Sequence, residues 1–269
     1  MYGAILGDII GSPYEFDRGG KTKDFPLFSE ESDYTDDSVM TIAVAAAVMR
    51  WKEEKKKLDQ LPGMITFYMQ EWGRAYPDAG YGAMFKQWIW SGDPQPYNSY
   101  GNGAAMRVSS IGWLFDSLQY TGLIAEISAR VTHDHPEGIK GARSIAEAVW
   151  MARKGADKAR IRWKIETQYG YDLNRTLDQI RPGYRHVESC QETVPEAIIA
   201  FLEGNSFEDV IRNAVSLGGD CDTLTCIAGS IAEAYYGVPE ELKQECQKRI
   251  SPDMGYVLKH FDQMREGCK

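Results

Sequence analysis

The stretch Ser216–Gly237, SLGGDCDTLTCIAGSIAEAYYG, sets two glycines and two aspartates directly before an apolar helical pattern. Leu224, Ile227, Ala228, Ile231 and Tyr235 recur at the i, i+3, i+4, i+7 spacing of one buried helix face, and Gly237 with Pro239 supplies the stop. Gly218 and Gly219 free the backbone ahead of the helix, so Asp220 and Asp222 can turn both carboxylates to one side, with the Thr223 hydroxyl beside them. Three converging hard oxygens suit Mg²⁺, Mn²⁺ or Ca²⁺, and Cys221 between them is expected to point away. Taken alone, the stretch also reads as ordinary capping, because Asp and Thr satisfy orphan amides at helix N-termini and complement the dipole there.

A second acidic helix mouth lies far upstream. Tyr34-Thr35-Asp36-Asp37-Ser38 leads into Val39, Met40, Ile42, Ala43, Ala46, Ala47 and Met49, whose small side chains suit a tightly surrounded helix. A cap needs one oxygen-bearing side chain, whereas this chain offers T-D-D-S in one place and D-C-D-T in another. If the two mouths face each other, their carboxylates and threonine hydroxyls could surround two hard cations roughly 3.5–4 Å apart, a spacing used for metal-assisted hydrolysis.

At 269 residues, with apolar residues throughout and no repeat or flexible linker, the chain is expected to bury a large core as one domain over residues 1–269. Cys190, Cys221, Cys226, Cys246 and Cys268 form neither CxxC pairs nor an even framework, which favours free thiols, a reducing cytoplasm and no zinc. The start MYGAILGDIIG has no basic leader, Asp8 interrupts a short apolar run, and no stretch approaches a membrane span, so a soluble cytoplasmic protein is expected. The net charge of −9 disfavours broad nucleic-acid binding.

In chain order, Tyr2–Tyr14 reads as a buried helix whose Gly3, Ala4, Gly7 and Gly11 let another backbone approach, with Glu15 following as an apparent surface acid. Residues 18–33 read as a mobile functional loop, and Leu61–Ala75 as an amphipathic helix. Ser99-Tyr100-Gly101-Asn102-Gly103 is a Gly/Asn turn feeding a helix from about Ala104; exposed amides there would favour an anion, and Tyr100 offers a flat face to a base or sugar. His133 and His135, in THDHP, suit hydrogen bonding better than zinc. Tyr169–Glu188 allows a short hairpin, Val194-Pro195 reads as a helix start, and Glu241–Arg249 and Met254–Met264 read as closing helices.

Six stretches in order, GAILGDIIGSPYE, YTDDSVMT, SYGNGAAMR, THDHP, ETVPEAI and SLGGDCDTLTCIAGSIAEAYYG, make the chain similar to the ADP-ribosylglycohydrolases, including the dinitrogenase reductase-activating enzymes. The resemblance implies an all-α, orthogonal multi-helix domain around a cleft with two Mg²⁺ or Mn²⁺ ions. It implies Thr35, Asp36, Asp37, Asp220, Asp222 and Thr223 as metal ligands, and Glu15 as a glutamate near the metals. It also implies Ser99, Tyr100, Gly101, Asn102, Gly103 and His133 on the ligand side, with Gly80 and Gly82 in a further phosphate-contacting loop. Cys221 departs from the family's usual threonine, at a position not expected to ligate. The implied reaction is hydrolysis of the bond between ADP-ribose and a modified side chain of a protein or peptide, with Glu15, Asp36 or Asp37 taking a proton from water. The alternatives are another two-metal hydrolase and a catalytically silent ADP-ribose-binding or structural relative.

Overall fold

A computed structural model describes residues 1–266. The helices are α1 (Tyr2–Gly11), α2 (Asp36–Glu53), α3 (Leu61–Ala75), α4 (Ala83–Trp90), α5 (Gly103–Met106), α6 (Ser109–Leu114), α7 (Leu118–Arg130) and α8 (Pro136–Arg153). They continue as α9 (Lys158–Tyr169), α10 (Leu177–Ile180), α11 (Cys190–Glu203), α12 (Phe207–Val215), α13 (Cys221–Tyr236), α14 (Glu240–Arg249) and α15 (Pro252–Glu266). Among the described residues there is no sheet, only an isolated antiparallel bridge between Gly101 and Ser189.

The architecture is built around α13, which is buried continuously from Cys221 to Glu233 and packs against α1, α8, α11 and α12. Helix α1 is buried at all ten positions and lies antiparallel along it. The stripe of small residues explains the closeness. A Cβ added to Gly3 would sit 2.2 Å from the Gly229 carbonyl oxygen, one on Gly7 2.2 Å from that of Thr225, and one on Gly11 2.6 Å from the Asp222 Cα. Backbone therefore meets backbone at three successive turns, and the contact runs directly into the acidic start of α13.

Several sequence expectations shift in detail. The first helix ends at Gly11; Ser12–Asp17 follows as a tight 3₁₀ segment broken at Glu15 and Phe16, and Phe16 and Asp17 both have positive φ. The helix after the Gly/Asn turn is split into α5 and α6 by an irregular step at Arg107 and Val108. Helix α11 begins at Cys190, not Val194, so Pro195 lies inside it and withholds a backbone donor there. No hairpin forms over Tyr169–Glu188, because Tyr171, Leu173, Leu177, Ile180 and Tyr184 bury their side chains in the core. Residues 18–33 are tied down: Arg212 donates to the Lys23 and Phe25 carbonyls, its guanidinium lies 5.0 Å from the Phe25 ring centroid, and Arg249 lies 4.2 Å from that of Phe28. Cys190, Cys221, Cys226 and Cys246 are free and buried, while Cys268 lies outside the described residues. Among the described residues, no helix is long and apolar enough to cross a membrane.

Candidate active site

The two acidic helix mouths meet. Thr223 Oγ1, in the first turn of α13, donates to Asp37 Oδ2, in the first turn of α2, at 2.9 Å. Asp8, Asp37 and Asp222 bring ligand atoms within 4.8 Å of one another, and so do Glu15, Asp220 and Asp222. Asp222 belongs to both groups, so they form one continuous acidic basin. Asp36 lines the same cleft from the other side of the α2 mouth, with its backbone N–H on the Ala79 carbonyl at 2.7 Å. Gly80, at φ +100°, places only hydrogen near the Asp36 carboxylate; a Cβ there would come 3.6 Å from Oδ1.

Asp8 is a basin residue that the sequence presents only as a break in an apolar run. Its Oδ1 accepts from Thr35 Oγ1 at 2.7 Å, and its Oδ2 accepts from the Thr35 and Ser38 N–H groups at 2.9 and 3.0 Å and from the Ser38 hydroxyl. A carboxylate from α1 thus caps α2 and turns the T-D-D-S mouth toward α13. The signal was present: Asp8 is the only charge in a helix that is otherwise apolar or small on every side. Thr35, in turn, is the N-cap of α2, with its hydroxyl donating to Asp8 and accepting from the Asp37 N–H.

The cleft above the basin holds about 320 Å³, within the range of small-ligand sites. Gly80 and Gly82 line one rim, and Ser99, Gly101, Asn102, Gly103 and His133 line another. Asn102 links this rim to the basin, donating through Nδ2 to Asp220 Oδ2 at 2.5 Å and to Thr193 Oγ1 at 3.1 Å. Tyr100 stands outside, 52% exposed and edge-on to His135. His135 caps α8 by accepting the Glu137 N–H at 3.1 Å. Phe16, Arg107, His186 and Glu188 also line the cleft, although no sequence argument had singled them out. Glu15 reaches it because the chain reverses at Phe16, whose N–H donates to the Gly219 carbonyl at 3.0 Å while Asp17 accepts the Gly219 N–H at 2.8 Å.

So many carboxylates in one desolvated place strain their ionisation. Burial, then the charge of Asp222, holds the Asp36 and Asp37 carboxyls well above the usual range, and burial with Asp220 does the same to Asp222. Burial lifts Asp8 and Asp220 to about 6 against the pull of their hydrogen bonds. Glu15 rises to about 7 by burial and then by the Asp222 charge. Asp37 Oδ1 is buried with no hydrogen-bond partner among the described residues. An orphaned carboxylate oxygen beside neighbours that all resist ionising, in a set of hard oxygen donors, fits a divalent cation.

A family model described as ADP-ribosylglycohydrolase matches residues 1–266. Human ADP-ribosylhydrolase ARH3 is 30% identical over 92% of this chain and 88% of its own length, and the mouse protein of that name is 29% identical over 92% and 86%. ADP-ribosylarginine hydrolase Tri1 of Pseudomonas putida is 26% identical over 88% of this chain and 70% of its own length. A solved structure titled ADP-ribosylglycohydrolase-related protein complex superposes with a TM-score of 0.71 at 23% identity, covering 98% of this chain and 95% of that one.

Proposed function

The chain belongs to the ADP-ribosylglycohydrolase family, and on that premise we propose that it hydrolyses the bond joining ADP-ribose to a modified protein side chain. The proposed linkage is to arginine or serine, cut at the anomeric carbon of the distal ribose. The observation that carries this reading is the bond from Thr223 to Asp37, which joins two distant acidic helix mouths beneath a glycine-lined rim. The names of the human and Pseudomonas relatives support an ADP-ribosyl substrate, and the second includes arginine as the acceptor.

Thr35, Asp36, Asp37, Asp220, Asp222 and Thr223 would hold two Mg²⁺ or Mn²⁺ ions, with Asp8 supporting them from α1. When bound, the ions supply Lewis acidity and neutralise the carboxylates around them. Ser99, Gly101 and Gly103 present little side-chain bulk and Asn102 turns its amide to Asp220, so a diphosphate could approach the backbone there and set the ribose over the basin. The Glu15 side chain has no hydrogen-bond partner among the described residues and reaches the basin beside Asp220 and Asp222, which supports Glu15, ahead of Asp36 or Asp37, as the group that would take a proton from water. As water adds to the anomeric carbon, the bond to the acceptor nitrogen or oxygen breaks and the acceptor departs with a proton.

The test is mass spectrometry of peptides carrying ADP-ribose on arginine or serine, incubated with Mg²⁺, Mn²⁺ or EDTA. Release of ADP-ribose that needs the ion, and that falls by roughly 10²–10⁴-fold in Glu15→Gln, is expected. Failure to cleave either linkage with either ion would refute the proposal.

A further inference from the structure

A buried chain of polar groups behind the Gly/Asn rim fixes the direction of one hydrogen bond in the cleft. Arg107, 1% exposed, donates through Nη2 to the Ser128 carbonyl at 2.9 Å and to Thr132 Oγ1 at 2.8 Å. Thr132 Oγ1 lies 2.7 Å from His133 Nδ1. A guanidinium can only donate, so Thr132 accepts from Arg107 and has one hydrogen of its own to place. The Thr132 side chain is fully buried, and among the described residues its hydroxyl has no other partner than these two. If Nδ1 carried a proton, donors would face the hydroxyl from both sides and its hydrogen would be buried without an acceptor. The Thr132 hydroxyl hydrogen and the ring nitrogen facing it are both satisfied only when the hydroxyl donates to a bare Nδ1.

We infer that Arg107 and Thr132 act as positioning residues that hold His133 as the neutral imidazole protonated on Nε2, so that the cleft offers a hydrogen-bond donor to an anionic oxygen. The surroundings of Nε2 agree. Ideal Cβ positions on Gly101 and Gly103 each fall 3.3 Å from it, so side chains there would crowd the atom that two glycines leave open. Both glycines and His133 line the cleft. Burial and the nearby Arg107 charge hold His133 well below the usual histidine range, against protonation of both nitrogens. Arg107 itself has no carboxylate within ion-pairing distance among the described residues, and its Nε is buried and unpaired. A buried cation without a counter-ion beside an open donor favours a negatively charged ligand. Identifying that ligand group as the diphosphate of an ADP-ribosyl substrate rests on the function proposed above.

Two measurements on the full chain separate the parts. Long-range ¹⁵N–¹H spectra of the histidine rings, with His133 assigned by its disappearance in His133→Gln, should show a bare Nδ1 and a protonated Nε2 at pH 7. An Nδ1-protonated ring or an imidazolium overturns the inference without reference to any ligand. Calorimetric titration with ADP-ribose in the presence of Mg²⁺ should show Thr132→Val weakening binding on the order of tenfold, with Thr132→Ser restoring it. Thr132→Val should also shift the ring toward the Nδ1-protonated form, a change that general loosening of the fold would not produce. Equal ADP-ribose affinity in Thr132→Val and the unaltered protein overturns the ligand-facing half of the inference. Absence of ADP-ribose binding by the unaltered protein sinks the functional reading, while the ring spectra still decide the tautomer.

Discussion

Replacing Gly7 by alanine tests whether the α1–α13 contact builds the basin. The added Cβ would meet the Thr225 carbonyl oxygen at 2.2 Å, its carbon at 2.5 Å and the Cys226 nitrogen at 2.6 Å, all backbone atoms that cannot swing aside. Relief requires the helices to part by roughly 1 Å, a gap that forfeits about a quarter to a half of the dispersion energy of the contacts it opens. Two effects then compete. Alanine gains about 1 kcal/mol over glycine in helix propensity, while overpacking a closed core costs about 1–3 kcal/mol, here at the upper end or above because only backbone can yield. The net expectation is destabilisation by about 2 kcal/mol in urea unfolding. The same displacement moves Asp8 away from Asp37 and Asp222, whose ligand atoms now lie within 4.8 Å, so Mn²⁺ affinity should fall at least about tenfold. Gly63→Ala is the matched control: Gly63 is exposed in α3, a Cβ there meets nothing within 4 Å, and the change should stabilise by about 0.5–1 kcal/mol. A Gly7→Ala protein as stable as the original, with unchanged Mn²⁺ affinity, would refute the reasoning.

Asp222→Asn removes the carboxylate common to both halves of the basin. The metal-free protein should become more stable because a buried repulsion is lost, while stabilisation by Mn²⁺ and turnover should both disappear; thermal melts with and without Mn²⁺ check this. Stability of the metal-free protein should also depend on pH in a defined direction. Asp8 and Asp220 have raised folded-state pKa values of about 6, so between about pH 4 and 6 the folded state holds protons that the unfolded chain has released. Their destabilising contribution is therefore absent below about pH 4, grows as pH rises through that window and levels off above it. Because a cation binds the ionised form, the increase in Tm produced by Mn²⁺ should be larger at pH 7.5 than at pH 5; an increase independent of pH contradicts the argument.

Much of this arrangement was legible in the chain because its parts are local. The small-residue stripe at Gly3, Gly7 and Gly11 announced a close helix contact, and the T-D-D-S and D-C-D-T mouths each carried their ligand-type residues within a few positions. What stayed hidden depends on partners far apart in sequence. Asp8 looked like an interruption of an apolar run because the amides and hydroxyls that satisfy it, on Thr35 and Ser38, arrive only when α1 and α2 pack together. Thr35 and Thr223 each carry a hydroxyl whose acidic partner, Asp8 for the first and Asp37 for the second, lies far away in sequence. Arg107 stood in a recognisable motif without its role showing, since the hydroxyl that accepts from it lies just beyond the end of α7. The irregular segment through His186 and Glu188 has no periodicity to read, and its place on the cleft follows from long-range anchoring such as the Asn102 N–H to Glu188 carbonyl bond at 2.8 Å.

The most direct measurement is an anomalous difference map from crystals of the full chain grown with Mn²⁺. Two peaks between the starts of α2 and α13, with Asp222 touching both and Asp37 touching at least one, are expected. Manganese bound elsewhere on the molecule, or none in that basin at saturating concentration, would contradict the account.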